Sequence, residues 1–478
     1  MPSSEACWGG RSISRISTQR AHTDPPNELE PATETIVLDA RDLKTIRERF
    51  RQINNERLKR VVAALHGPQR DFLSLLPLLF HTNHPMLPGF AGKSVPFGLA
   101  EYAPTNSTLN AARRLTRSFE FKRRAGRSVD ILALYLMGSS GTVAYSRKSD
   151  FDVWVCHRDE LSAEAVGELT RKTDAIAQWA ETLGLEVHFF NLSAKAFGAG
   201  KDEALSSESS GSAQHYLLLD EFYRTALLVS GRYPAWWLVP PQYERQYHAV
   251  VETIRERRLC GDNEFIDFGT VSELPASEFV GAALWQLTKA IESPHKSLLK
   301  IMLIEAYASE FPDPDLLSNR FKRAVYDGER SLNRLDPYAV FVQKVEDYLR
   351  VAHDDDRLEL ARQCFYLKVN VPLSKATARA TTDWRVELVQ EVVDEWDWDD
   401  EKIAKLDNRS SWRIGEVMDE RNAMVRALIH AYKFIARFSR KQSETQGVSE
   451  RDMTILGRKL FAAFEQKAGK INIVNRGL

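Results

Sequence analysis

Residues 135–155 read YLMGSSGTVAYSRKSDFDVWV and carry the strongest signal in the chain. The apolar run 131–137 ends at Gly138 and predicts a strand. A turn with Gly138, Ser139, Ser140 and Gly141 follows, and such a turn offers backbone N–H groups and hydroxyls to phosphate oxygens. FDVWV, residues 151–155, alternates with a period of two and predicts a second strand. Asp150 and Asp152 flank Phe151, so they share one face of that strand. Two converging carboxylates repel each other and favour a bound cation. Hard oxygen ligands beside a phosphate cradle make that cation Mg²⁺ or Mn²⁺.

Working outward, residues 162–184 form an amphipathic helix with Val166, Leu169, Thr173, Ile176, Ala180 and Leu183 on one face. Ser162 can cap its start and Gly184 its end. LEVHFF, 185–190, predicts a third strand, with Glu186 an inward acid between Leu185 and Val187. The polar loop GKDEALSSESSGS, 200–212, leads into a helix over 213–231 and a last strand-like run, AWWLV, at 235–239. Upstream, 42–65 is helical in period, and FLSLLPLLF, 72–80, is a second apolar helix ending in a Pro/Gly-rich loop. Beyond 240 almost everything reads as helix. The fold class expected is α+β: a disordered leader (1–35), a small α/β catalytic domain with N-terminal helices (36–240), and a large all-helical domain (241–478).

Composition narrows the function classes. The chain has 478 residues, 43% hydrophobic and 27% charged, which excludes wholesale disorder. Lys+Arg is 65 against Asp+Glu 66, a net charge of −1, so no nucleic-acid partner is expected. No run approaches the roughly 18 apolar residues of a membrane span. The four cysteines are too far apart for a disulfide framework or a zinc site, and with no secretory h-region near the start the expected location is cytoplasmic.

Gly-Ser after a strand, Asp-x-Asp on the next and an acid on a third resemble the active-site pattern of the nucleotidyltransferase superfamily, which includes DNA polymerase beta. There, two metal ions held by three acids clamp the attacking and leaving oxygens of an in-line displacement. More specifically, the chain resembles the catalytic portion of a class I, enterobacterial-type adenylate cyclase from about residue 43 onward. The resembling segments include LLPLLFHTNHPMLPGF, the stretch from Tyr135 to Leu161, LGLEVHFF, QHYLLLDEFYRTALLVSGR, LWQLTKAIESPHKSLLKIMLIEAY, CFYLKV and LDNRSSWRI. The resemblance implies ATP as substrate, cyclic AMP and pyrophosphate as products, Gly138 and Ser139 at the triphosphate, and Asp150 and Asp152 at two Mg²⁺ ions. It implies that Glu186 completes one metal site or takes the proton. It also implies that a regulatory partner acts through a C-terminal region beyond this chain. Arg147 and Lys148 depart from the family pattern and are given no catalytic role.

Other candidates carry two readings each. Lys296 and Lys300 share a face at the start of a buried helix capped by Ser293, where they grip the β- and γ-phosphates or stand as solvated lysines. Arg224 reaches a phosphate or pairs with Asp220 or Glu221 at helical spacing. His188 alternates with Glu186 along its strand, whereas His81 and His84 suit loop hydrogen bonds. Trp396, Trp398 and Trp412 suit helix packing. Adenine recognition has no motif here. Two rival functions stay open: a nucleotidylyltransferase acting on a separate acceptor, and a catalytically dead nucleotide-binding module.

Overall fold

The computed structural model describes residues 36–121, 129–146, 149–198, 215–272, 274–375, 383–442 and a few positions between 455 and 462. The expected leader, the 200–212 loop and the Arg147-Lys148 pair fall outside them. In chain order the described elements begin with α1 (Ala40–Ala64), α2 (Gly67–His81), α3 (Asn106–Leu115), β1 (Ile131–Met137), β2 (Phe151–His157), α4 (Ala163–Thr182) and β3 (Val187–Ser193). A short α5 (Ala194–Gly198) precedes α6 (His215–Thr225), β4 (Leu227–Gly231), a one-turn 3₁₀ helix (Ala235–Leu238) and α7 (Tyr247–Glu256). The helical remainder comprises α8 (Ala276–Lys289), α9 (Pro294–Ser309), α10 (Leu317–Tyr326), α11 (Pro337–Val351), α12 (Asp355–Val369), α13 (Trp384–Asp394), α14 (Asp400–Asp407) and α15 (Ile414–Lys441).

Among the described residues, four strands form one mixed sheet in the order β3-β2-β1-β4. β1 pairs antiparallel with β2 and β4, and β2 pairs parallel with β3. The sheet has two distinct faces because side chains alternate along each strand. Phe151, Val153 and Val155 join Leu134, Leu136 and the residues of α2 and α4 in one apolar core. Trp154 points the other way and stacks on Phe222 of α6 at 4.6 Å between ring centroids. Asp152 shares that second face, so the sheet's α6 side carries the candidate chemistry. Ser162 caps α4 as expected, its hydroxyl accepting from the Ala165 N–H at 3.2 Å, and Gly184 ends the helix with φ +71°.

Three expectations are corrected. The helix over 213–231 stops at Thr225, and LLVSG is β4, hydrogen-bonded to β1. AWWLV is not a strand: Pro234 and Pro240 flank it, Trp236 stacks on Tyr223 at 4.4 Å, and the run folds as a buried 3₁₀ turn. Ser293 does occupy the cap position of α9, but its side chain makes no capping hydrogen bond.

The helical remainder is built around α9, whose residues are buried on nearly every side. It packs against α8, α11, α12 and α15. α10 packs against both α1 and α6, so helices late in the chain close over the sheet. Residues Leu38–Leu478 form one compact unit. Among the described residues no helix is long and apolar enough to cross a membrane.

Candidate active site

Strand register builds the first half of the site. Met137 lies opposite Asp152 on β2, so the turn after β1 starts beside that carboxylate. Gly138 adopts φ +82°, a left-handed conformation that favours glycine. A Cβ there would stand 3.6 Å from Asp152 Oδ2, which measures how closely turn and carboxylate approach. The Gly138 N–H donates to Thr225 Oγ1 at 3.3 Å, and Thr142 Oγ1 donates to the Ser139 carbonyl at 2.7 Å, so the turn is held on both sides. Gly138, Ser139, Asp150 and Asp152 line a cavity of about 800 Å³, within the range of small-molecule sites.

The two aspartates differ. Asp150 is half exposed, with His188 Nε2 3.9 Å from its Oδ2. Asp152 is more enclosed, and burial followed by the neighbouring Asp150 charge pushes it up to about 6. That upward push marks a place where a cation would relieve the pair.

A basic wall completes the cavity. Lys296 and Lys300 come from α9, Lys368 from the end of α12 and Arg385 from the start of α13. Lys300 is paired to Glu221 of α6 at 3.2 Å. Burial alone would raise Glu221, but Lys300 and Arg224 outweigh it and hold the carboxylate down at about 2. Among the described residues no carboxylate forms such an ion pair with Lys368. Burial, then Lys296, push its ammonium down to about 8; Lys300 and Arg385 add to the repulsion, and Asp150 partly opposes it. Arg385 donates to the Val369 carbonyl at 2.7 Å and to the Val143 carbonyl at 3.0 Å, which fixes it at the rim of the turn. Cations crowded on one wall, facing a turn suited to phosphate, are arranged for a polyanion.

Two family models match the chain: the adenylate cyclase NT domain over residues 42–237, and the class-I adenylate cyclase second domain over 274–475. The chain belongs to the class-I adenylate cyclase family. Among curated relatives, the adenylate cyclases of Escherichia coli K12 and Salmonella typhimurium LT2 are each 39% identical over 435 residues. These alignments cover 91% of this chain and 51% of each relative. The adenylate cyclase of Proteus mirabilis is 36% identical over 437 residues, covering 91% of the chain and 50% of the relative. The chain thus spans about half the length of the curated relatives it matches. No solved structure matches it.

Not every expected residue reaches the cavity of this cyclase-family chain. Gly138, Ser139, Asp150, Asp152, Lys296 and Lys300 line it. Ser140 does not: it is buried within the turn, and its hydroxyl has no hydrogen-bond partner among the described residues. Arg224 does not either. It is buried one helical turn after Asp220, with its Nε 3.6 Å from Asp220 Oδ2, and acts on the site through Glu221. Glu186 lies on the rim but is not the inward acid expected. It precedes β3, its side chain is 71% exposed, and it accepts from His188 Nε2 at 3.2 Å. Accordingly, among the described residues no three His, Cys, Asp or Glu side chains gather closely enough to hold a metal ion together. His81 and His84 make loop hydrogen bonds, to Leu99 and Met86. Sequence reasoning missed Lys368 and Arg385; Lys368 sits in the CFYLKV block that carried the family resemblance.

Proposed function

We propose that this chain is the catalytic portion of an adenylate cyclase that converts ATP into 3′,5′-cyclic AMP and pyrophosphate on a nucleotidyltransferase-like fold. The observation that supports it most is the single cavity shared by the Gly138-Ser139 turn, the Asp150/Asp152 pair and the Lys296/Lys368/Arg385 wall. A magnesium-triphosphate needs both signs of charge side by side, with carboxylates for the cation and ammonium groups for the phosphate oxygens.

Asp150 and Asp152 fit a divalent cation, since each supplies hard oxygen and Asp152 is raised by burial and then by the Asp150 charge, a repulsion that a cation between them would relieve. We read the cofactor as two Mg²⁺ ions, or Mn²⁺, bound by this pair and by substrate phosphates. When bound, they supply Lewis-acid charge stabilisation at the reacting phosphorus. The turn N–H groups and Ser139 orient the triphosphate. Lys296, Lys300 and Lys368 neutralise charge that grows on the β- and γ-phosphates as the Pα–O bond breaks and pyrophosphate departs. The ribose 3′-oxygen forms the new bond to Pα, and its proton leaves toward the rim, where Glu186 with His188 beside it is placed to accept it. Residues 36–240 and 241–478 then divide the work: the first brings the turn and carboxylates, the second the basic wall.

The test is direct. Incubating the purified chain with Mg²⁺ and ATP, without an acceptor, should give cyclic AMP and pyrophosphate in equal amounts. Nucleotide transfer only on adding an acceptor, or binding without turnover, would overturn the reading.

A further inference from the structure

The phosphate reading accounts for only one part of the cavity. The same space is also lined by Val417, Met424, Val425 and Leu428 of α15, with Leu367 of α12 and Ala290 just after α8. On α15 these positions recur at helical spacing and present one aliphatic face. Leu428 is 1% exposed and Met424 7%, as core residues are, yet they border open space. Three of the charged or polar groups on this wall satisfy one another. Glu420 accepts from His295 Nε2 at 3.0 Å and from Arg409 Nη2 at 2.6 Å. Burial would raise that carboxyl, but these two partners outweigh it and hold it below its usual range. This end of the cavity therefore offers a mainly apolar surface with one arginine, Arg421, set in it.

We infer that the aliphatic face of α15 is the shelf for the nucleobase. The inference rests on the reading of the polar end as a triphosphate site. A ligand anchored there by its phosphates has its remaining bulk in the same continuous space. α9 connects the two ends: it starts beside Lys296, whose charge is felt at Asp152, and packs along α15. A flat heteroaromatic base buries its faces well against Met424 and Leu428, because thioether and aliphatic groups adapt to an aromatic surface. Base affinity then comes from α15, while the phosphates are held by α9, α12 and the turn.

The experiment separates base from phosphates. Calorimetry in the presence of Mg²⁺ uses two probes: 3′-deoxy-ATP, which lacks the attacking hydroxyl and cannot be cyclised, and inorganic tripolyphosphate. The unmodified chain should bind 3′-deoxy-ATP more tightly than tripolyphosphate. Met424→Trp, which fills the shelf, should weaken 3′-deoxy-ATP at least about tenfold while moving tripolyphosphate by less than about twofold. Met424→Leu, close in volume, should leave both unchanged within about threefold. Retained tripolyphosphate binding shows that a variant is folded. If Met424→Trp does not fold, Val425→Phe, at a half-buried position on the same face, gives the same readout. Equal losses for both probes, or an unchanged 3′-deoxy-ATP affinity, would overturn the shelf. Failure of the unmodified chain to bind either probe would instead overturn the triphosphate site on which it depends.

Discussion

Lys368 offers the sharpest quantitative test of the basic wall. Its ammonium ionises at about 8 instead of 10.5, through burial and then Lys296, with Lys300 of α9 and Arg385 of α13 repelling it and Asp150, just before β2, attracting it. A docked phosphate chain would reverse that depression. Full recovery to 10.5 corresponds to about 300-fold in affinity, or about 3 kcal/mol at 1.36 kcal/mol per pH unit. Partial exposure and salt screening reduce this to an expected ~10- to 100-fold. The sign follows from linkage: a cation whose pKa rises on binding contributes fully below about pH 8, and its contribution fades as pH climbs from about 8 toward 10.5. The phosphate's own second ionisation, near 6, is complete by then, so the ligand's charge does not change across this window. Affinity for 3′-deoxy-ATP, measured by calorimetry from about pH 7.5 to 9.5, should fall in the unmodified chain by up to about tenfold per pH unit above 8. Lys368→Met should bind weakly already at the low end and show no such slope. A variant that keeps the parental slope, or binds as tightly as the parent near pH 7.5, would refute the reasoning.

Three further outcomes are expected. Asp150→Asn or Asp152→Asn should cut cyclic AMP formation by about 10³-fold or more at saturating Mg²⁺ with the circular dichroism spectrum unchanged, and a loss within tenfold would sink the metal assignment. Glu186→Gln should lower kcat far more than it weakens 3′-deoxy-ATP; a parallel collapse of metal and nucleotide affinity would make it a ligand instead of the proton acceptor. Glu278 accepts from the Tyr216 and Leu217 N–H groups at the start of α6, and burial raises its carboxyl to about 7 from an unfolded value of 4.5. Its contribution is therefore most favourable below pH 4.5, diminishes up to about 7 and is flat above, a change of about 3 kcal/mol that urea unfolding of Glu278→Gln should show to be missing.

What the sequence made legible was local. The run 131–137 is β1 residue for residue, and the cap and terminal glycine of α4 could be read from Ser162 and Gly184. Asp150 and Asp152 were readable because two-residue alternation fixes a shared face. β4 was not, because LLVSG continues the apolar stripe of α6 without interruption. Its marker is Gly231 at φ +104°, where a Cβ would run into the Leu132 carbonyl oxygen. AWWLV looks like a strand only until its flanking prolines are weighed against strand pairing. Lys368 and Arg385 were invisible for another reason: they are more than 200 residues from Asp150, and a lysine near a helix end looks the same whether it faces water or a cavity. The α15 face was hidden likewise, since aliphatic residues that line a space have the same spacing as those that fill a core.

The segment between the phosphate turn and the aspartate pair is gripped from a distance. The Val143 N–H donates to Asp336 Oδ2 at 2.9 Å, and its carbonyl accepts from Arg385 Nε at 3.1 Å. Asp336 is itself the cap of α11, its Oδ1 accepting from the Tyr338 N–H at 2.9 Å. One backbone unit, four residues past Ser139, is thus pinned at both its polar groups by helices nearly 200 residues or more away in sequence. A fragment ending near residue 240 would leave both groups without these partners and let the turn relax, so the sheet alone is not a working module. The same fastening acts as a lever: any shift of α11 or α13 pulls directly on the loop that follows the Gly138-Ser139 turn, giving whatever acts on the helices a mechanical hold on the proposed triphosphate site without passing through the sheet.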